Sequence, residues 1–270
     1  MKALVVDYSK CNGCFNCQLV CKDEHCDNDW SPIAKPQPQS GQFWCRVDQE
    51  ERGRIPVVRV QYTPTFCGHC DKCPLLEMAP DAVYRRDDGF VVIDPEKARG
   101  RQDLVEACPL GMVFWNAELE IPQKCTGCAH LLDNGWSEPR CVDACATDAL
   151  RYGEVDELSE LLEAGETLEP LAGLGSHVYY VNKPKRFIAG TVANRGINEV
   201  VIDAPVTVTD ASGAVVAQLE TDEFGDFRFT EGEDAVYTVR IEAEGFDAIE
   251  LTADCNGTDV VFDDILVDQQ

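Results

Sequence analysis

Cysteine is the residue type in this chain that could do chemistry, and its spacing is regular. Fourteen of the fifteen cysteines lie between Met1 and Leu150. The first four have the spacing C-x2-C-x2-C-x3-C: Cys11, Cys14, Cys17 and Cys21. Bacterial iron–sulfur proteins use this run, in which three thiolates hold one [4Fe–4S] cluster and the fourth ligates another cluster. The run therefore predicts a distant partner block.

Two further groups of cysteines supply candidates for the remaining ligands. One group has the spacings x2, x12 and x3: Cys125, Cys128, Cys141 and Cys145. The other group has only three members: Cys67, Cys70 and Cys73. Cys108, which precedes Pro109, is the natural candidate for its fourth ligand. These twelve thiolates are enough for three [4Fe–4S] clusters.

Disulfides and structural zinc are the alternative uses of such cysteines. Disulfide frameworks are typical of small secreted domains with an even cysteine count, whereas this chain is long and its count is odd. Paired C-x2-C motifs also bind zinc, so the group that begins at Cys125 could hold zinc. The run at Cys11 does not have a zinc spacing, and it favours iron–sulfur clusters.

The segment that begins at Val92 is a degenerate copy of the segment that begins at Val5. In this alignment Cys108 takes the position of Cys21, and the other three cysteine positions are held by Ala98, Arg101 and Leu104. Glu77 stands where the group of three would have its own fourth cysteine. The ligands of one cluster have been lost from both partner blocks, so we expect three clusters and not four.

Composition limits the classes of partner. The formal net charge of −26 and the pI of about 4.3 argue against nucleic acid and against anionic membrane surfaces. Solubility or an acidic proteome explains this charge without a steering role. No apolar run reaches the length of a membrane span, and the N-terminus lacks the apolar region of a signal peptide. We therefore expect a cytoplasmic protein that is exported only with a signal-bearing partner.

The sequence predicts an α+β fold with two domains. Residues 1–186 form the cluster-bearing domain, which includes an extended insertion at 27–62 and a connector at 153–186. Residues 187–270 alternate apolar and polar residues between turns, which predicts about seven short strands and an independent β-sandwich. Its pattern, including TDEFGDFRF and YTVRIEAEGF, resembles the immunoglobulin-like (prealbumin-like) repeat of carboxypeptidase regulatory domains. We expect this sandwich to serve docking or stabilisation.

The cysteine map resembles the electron-transfer subunits of the dimethyl-sulfoxide-reductase family of molybdopterin oxidoreductases. Other stretches fit this family too: CKDEH, YRRDDGFVVIDPEKA, CPLGMVFWN and QKCTGCAHLLD. The lost cluster and the appended sandwich are similar to the branch that contains the small subunits of pyrogallol–phloroglucinol transhydroxylase and of catechol dehydroxylases. The resemblance implies a ferredoxin-like domain and a large partner subunit that holds the molybdopterin and does the chemistry.

The resemblance also implies how the cysteines are shared among three clusters. The first cluster set is Cys11, Cys14, Cys17 and Cys145. The second cluster set is Cys21, Cys125, Cys128 and Cys141. The third cluster set is Cys67, Cys70, Cys73 and Cys108. A free-standing polyferredoxin carrier, or the small subunit of another reductase of the family, is the alternative function, and co-purification separates the carrier from a subunit.

Several residues near the ligands have no assigned task. Three cysteines lie outside every block: Cys26, Cys45 and Cys255. We expect second-sphere or structural roles for His25, His69 and His130, and packing roles for Trp44, Trp115 and Trp136. Gly13 and Gly127 serve tight turns or direct backbone N–H groups at sulfur, and Lys124 is expected to be solvated.

The count of twelve ligands predicts twelve irons and twelve acid-labile sulfides per chain. Anaerobic iron and sulfide analysis of the purified protein measures both. A content near sixteen would mean that Glu77 or an unassigned cysteine supports a fourth cluster. Stoichiometric zinc would contradict the assignment of the group that begins at Cys125.

Overall fold

The chain folds into two units, neither of which is one continuous segment. The computed structural model describes residues 1–197 and 199–269. The first unit consists of Met1–Gln49 and Tyr62–Lys183, and the second consists of Glu50–Gln61 and the chain from Pro184 onward. Within the described ranges, no helix has the length and apolar character needed to cross a membrane.

The first unit is built from short elements joined by loops. Its helices are α1 (Asn16–His25), α2 (Pro74–Met78), α3 (Ala129–Leu132), α4 (Arg140–Asp143) and α5 (Ser159–Glu163). Its strands are β1 (Lys2–Asp7), β4 (Val83–Arg85), β5 (Val91–Ile93), β6 (Phe114–Asn116), β7 (Ile121–Gln123), β8 (Leu150–Glu154) and β9 (Val178–Val181). Two paired strands are divided between the units. Strand β2 (Cys45–Arg54) begins in the first unit and ends in the second, and β3 (Val57–Phe66) begins in the second and ends in the first.

A three-stranded sheet with the order β8-β1-β9 carries the N-terminal ligand loop. Strand β1 pairs antiparallel with β8 and parallel with β9. Its apolar residues Ala3, Val5 and Val6 are buried, which fixes the strand before the loop that holds Cys11. Two small antiparallel ribbons, β4–β5 and β6–β7, support the loops around the other cysteine blocks.

An apolar core occupies the place where a fourth set of thiols would be expected. Ala98 and Leu104, which stand in former cysteine positions, are fully buried beside Leu75 and other apolar side chains. Arg101, which aligns with Cys14, donates a hydrogen bond from its guanidinium to the carbonyl oxygen of Met78 at 2.9 Å. Ordinary hydrophobic packing thus stabilises this region, and buried apolar surface contributes about 25 cal/mol per Å².

The second unit contains two facing sheets of short strands. These strands are β10 (Arg186–Asn194), β11 (Glu199–Val200), β12 (Pro205–Thr209), β13 (Val215–Glu220), β14 (Asp226–Gly232), β15 (Val236–Ile241), β16 (Ile249–Asp254), β17 (Val260–Val261) and β18 (Ile265–Val267). One sheet has the order β11-β10-β14, with β17 and β18 also paired to β10. The other has the order β13-β12-β15-β16. The inward side chains of both sheets, such as Ile188, Val208 and Val239, form one buried core.

The segment Glu50–Gln61 belongs to the same unit as the sandwich. Arg52 is buried there and makes a bidentate ion pair with Asp259, with N–O distances of 2.7 and 2.8 Å. The Arg52 guanidinium also donates to the carbonyl oxygen of Lys185 at 2.8 Å. Val57 packs against Phe187. No motif in the sequence indicates this association, because it joins residues about two hundred positions apart.

Removal of the arginine from this pair is expected to be costly. Arg52→Ala should destabilise the second unit by about 3–5 kcal/mol, because it leaves the buried Asp259 carboxylate without its cation. Arg195 pairs with Asp268 in solvent, so Arg195→Ala is the matched control and should cost about 0–1 kcal/mol. Denaturant-dependent hydrogen exchange of β14 and β15 measures both losses. Equal small losses would show that the buried pair does not hold Glu50–Gln61 to the sandwich.

Candidate metal centre

The four thiols of the first cluster set line one cavity. Cys11 and Cys14 lie in the loop after β1, Cys17 lies in the first turn of α1, and Cys145 follows α4. All four line a cavity whose other walls include Val47 and Leu150. The Cys14 side of this cavity is solvent-exposed, whereas Cys17 is buried.

The four thiols of the second cluster set line a different and larger cavity. Cys21, Cys125, Cys128 and Cys141 all line this cavity, and Cys45 and Cys67 also reach its wall. Cys21 and Cys128 are buried, and the other two are half-buried. Predicted ligands that are more than a hundred residues apart in the chain therefore meet at one place.

The geometry of α1 explains why one cysteine run serves two cavities. Cys17, Cys21 and His25 are spaced by four residues, which places them on one face of the helix, and all three are buried. One helical turn has a pitch of about 5.4 Å, so neighbouring thiols on this face reach separate cavities. Helix α4, which carries Cys141, packs against α1.

The four thiols of the third cluster set also lie close to one another. Burial raises the pKa of Cys70 to about 12, with smaller contributions from the neighbouring thiols of Cys67, Cys73 and Cys108. Cys73 and Cys108 contact the apolar core beside α2. Cys67 lines the second cavity, and its proximity adds to the raised pKa of Cys125. The third set thus adjoins the second set.

Burial keeps most of these thiols protonated in the chain without metal. It raises the pKa of Cys125 to about 11 and that of Cys128 to about 12. Because metal binds the thiolate, cluster binding must displace these protons, and binding is favoured as the pH rises. Cys17 differs, since a hydrogen bond from the neighbouring Cys45 thiol lowers its pKa.

Two glycines bring backbone N–H groups to the ligand sulfurs. The N–H of Gly127 donates to Cys125 Sγ at 3.3 Å, and the N–H of Gly13 lies at Cys11 in the same way. Both glycines have positive φ, 67° and 70° respectively. A Cβ atom would lie 2.6 Å from the Phe90 ring at the first position and 2.4 Å from Tyr62 at the second. Each glycine therefore serves both the tight turn and the sulfur contact.

The chemistry of the two cavities fits iron–sulfur clusters. Soft thiolates are the usual cluster ligands; four cysteines line the first cavity, and six line the second, including the four of the second cluster set. Among the described residues, no carboxylate lines either cavity. Over the same ranges, no three His, Cys, Asp or Glu side chains converge tightly enough to hold a single metal ion.

Lys124 is buried, so the expectation that it is solvated is wrong. Its ammonium donates to the carbonyl oxygens of Val91 and of Cys125, the latter at 2.9 Å. This positive charge lowers the pKa of Cys73 and of Cys125, partly opposing the effect of burial. The sequence around Lys124 did not predict that its charge would lie near thiols of both the second and the third cluster sets.

The three histidines near the ligands are buried and have defined partners. His25 Nδ1 donates to the carbonyl oxygen of Cys21 at 3.0 Å, and burial lowers its pKa to about 4, so the ring is neutral. His130 Nε2 lies 3.1 Å from Glu24 Oε1, and its ring stacks on Trp30 at 4.3 Å. His69 Nδ1 accepts from the backbone N–H of Val91 at 3.1 Å.

The cysteines and tryptophans outside the ligand blocks have different surroundings. Cys45 lies at the second cavity, beside Cys17. Its place in the insertion, far from any ligand motif, did not predict this position. Cys255 is buried in the sandwich core, and Cys26 forms a backbone bridge with Gln37. Trp44 is buried at the second cavity, whereas Trp136 is exposed.

Comparisons with known proteins agree with this arrangement. A family model described as a 4Fe-4S dicluster domain matches residues 58–155, and one described as a carboxypeptidase regulatory-like domain matches residues 188–263. The second match confirms the predicted immunoglobulin-like sandwich, and the first confirms the iron–sulfur domain that precedes it. The [4Fe–4S] cofactor type and the carboxypeptidase regulatory-like sandwich were both expected from the sequence.

Several curated proteins are similar over much of the chain. The "Pyrogallol hydroxytransferase small subunit" of Pelobacter acidigallici is 36% identical over 90% of this chain and 90% of its own length. A putative iron–sulfur subunit of dimethyl sulfoxide reductase from Halobacterium salinarum is 31% identical, covering 66% of this chain and 78% of its own. A tetrathionate reductase subunit from Salmonella typhimurium is 30% identical, covering 69% of this chain and 74% of its own.

The separation of Cys17 and Cys21 into two cavities generates a spectroscopic prediction. Cys21→Ser should perturb the same EPR signal as Cys128→Ser, because both thiols line the second cavity. Cys14→Ser should change a different signal, since Cys14 lines the first cavity. EPR spectra of the reduced variants provide the comparison. Loss of one common signal in Cys14→Ser and Cys21→Ser would show that the run ligates locally.

Proposed function

Because this chain belongs to the iron–sulfur small subunits of dimethyl-sulfoxide-reductase-type molybdopterin oxidoreductases, we propose that it carries three [4Fe–4S] clusters for a large catalytic subunit. Electron transfer and a large partner subunit are common to this family. The number of clusters, their ligands and the substrate class are the specific parts of the proposal.

The observation that carries the proposal is that the eight thiols of the first two cluster sets line two separate cavities, with the four of each set together. The first cavity has the first cluster set, and the second has the second cluster set. The mutual effects on the thiol pKa values support a third site at Cys67, Cys70, Cys73 and Cys108. When bound, each cluster would supply reversible one-electron storage at its site.

The sites are arranged as a chain of neighbours. Cys45 and Cys17 connect the first site to the second, since Cys45 lines the second cavity and contacts Cys17 of the first. Cys67 connects the second site to the third, because it lines the second cavity as well. This order supports transfer of single electrons along the unit, with the second site in the middle.

The residues of the chain prepare these sites for clusters in three ways. Buried apolar walls exclude water, tight glycine turns direct N–H groups at sulfur, and the buried Lys124 ammonium offsets thiolate charge between the second and third sites. None of these groups has a role in substrate chemistry. We therefore assign the conversion of substrate to the molybdopterin-containing partner.

We propose a phenolic substrate for the complex. The support is the 36% identity, over 90% of both chains, to a subunit named for pyrogallol. A transfer of hydroxyl between phenols is redox-neutral overall, so the clusters would then hold electrons for the molybdenum and would not pass a net current.

Purification of the complex tests the proposal. The tagged chain, purified anaerobically from its native cells, should retain a large subunit, with one molybdenum and twelve irons per pair. The complex should convert hydroxylated benzenes and should leave dimethyl sulfoxide and tetrathionate unreduced. A chain that emerges alone with all of its iron is the carrier alternative. Reduction of tetrathionate without phenol conversion would overturn the substrate class.

A further inference from the structure

Three buried hydrogen-bond donors around the second cavity have no acceptor in the described part of the protein. The first is Trp44, whose side chain lines the cavity and is only 1% exposed. An indole N–H can donate but cannot accept. Over the described ranges, Trp44 Nε1 has no hydrogen-bond partner, although the His25 ring lies 4.7 Å away between centroids.

The second donor is His69, and its tautomer follows from its other nitrogen. His69 Nδ1 accepts the backbone N–H of Val91 at 3.1 Å, so this nitrogen carries no proton. A neutral imidazole carries its single proton on the nitrogen that does not accept, which is Nε2 here. That Nε2–H is buried at the second cavity, and no acceptor for it exists among the described residues.

The third donor is the phenol of Tyr152. Tyr152 lines the second cavity and also a neighbouring pocket that contains Arg86 and Asp88, and its ring stacks on Phe90 with the ring planes 7° apart. The hydroxyl oxygen is buried, and no described residue forms a hydrogen bond with it. Buried polar atoms in native proteins are almost always satisfied, so three such donors at one cavity indicate an acceptor inside it.

We propose that Trp44, His69 and Tyr152 donate hydrogen bonds to the sulfur atoms of the cluster held by the second cluster set, and that these bonds raise its reduction potential. This inference rests on the proposed function, because it requires a cluster in that cavity. Sulfide and thiolate sulfurs are the only acceptors that a cluster would present there.

The direction of the effect follows from charge. Reduction adds one negative charge to the cluster, and a hydrogen bond to a more negative acceptor is stronger. Each donor therefore stabilises the reduced state more than the oxidised state, and hydrogen bonds to sulfur are among the determinants of cluster potential. The donors also come from outside the four ligand residues, so they tune the middle site of the three without altering its ligation.

The position of Trp44 is fixed by contacts that do not depend on the cluster. The side chain of Gln18 on α1 accepts the backbone N–H of Val47 at 2.7 Å, which anchors the start of β2 beside the helix. Cys45, the neighbour of Trp44, contacts the Cys17 thiol on the same helix. The indole is thus held at the cavity wall before any ligand arrives.

Potentiometric EPR titration of the full chain with its clusters tests the inference. Trp44→Phe and Tyr152→Phe each remove one donor and keep an aromatic ring. At the wild-type midpoint potential of the second site, the ratio of reduced to oxidised cluster should fall roughly tenfold in each variant, about 59 mV for a one-electron couple. The signal that Cys21→Ser alters identifies this site. Trp136→Phe, at an exposed tryptophan, is the matched control and should leave every midpoint unchanged.

A second measurement uses the wild-type protein and so avoids any folding defect. With tryptophan labelled with ¹⁵N in the indole ring, the reduced second site should show an electron–nuclear coupling to ¹⁵N in pulsed EPR. Absence of this coupling would overturn the role of Trp44, and unchanged midpoints in both Phe variants with full iron content would overturn the inference as a whole. Wild-type protein without a cluster at this site would instead overturn the proposed function.

Discussion

The four-residue spacing of Cys17 and Cys21 on α1 is the constraint on which the ligand architecture depends. Because the two thiols lie one turn apart on a single buried face but line different cavities, this helix must run between the two sites. The other predicted ligands that line these cavities then have to lie near α1. Helix α4 packs on it with Cys141, Cys145 follows that helix, and the loop before α3 brings Cys125 and Cys128.

The iron–sulfur character of the first unit could be predicted from the sequence because cluster ligation depends on local spacing. A tight loop such as the one at Gly13 allows only certain intervals between thiols, and these intervals are visible as a pattern. The sandwich could be predicted for a similar reason, since alternation along β12, β14 and β15 is a local property. Both the family resemblance and the two-part fold class are confirmed.

What the sequence did not reveal depends on contacts between distant residues. The buried ammonium of Lys124 donates hydrogen bonds to the carbonyl oxygens of Val91 and Cys125, and no local sequence pattern encodes that arrangement. Trp44 and Cys45 lie in an insertion without a ligand motif, yet they reach the wall of the second cavity. Arg52 joins Asp259 across more than two hundred residues. In each case the side chain is polar or has a polar edge, so its burial depends on a partner elsewhere.

The excursion of Glu50–Gln61 into the second unit has a consequence for how such a protein can change over evolution. A domain attached through one peptide connection can be gained or lost by a single truncation of the gene. Here the chain passes between the units three times, and the buried Arg52 has its counter-ion at Asp259. Truncation after Lys183 would strand a cation and an apolar hairpin tip that includes Val57. The sandwich and the insertion are therefore expected to be inherited together, as one heritable character.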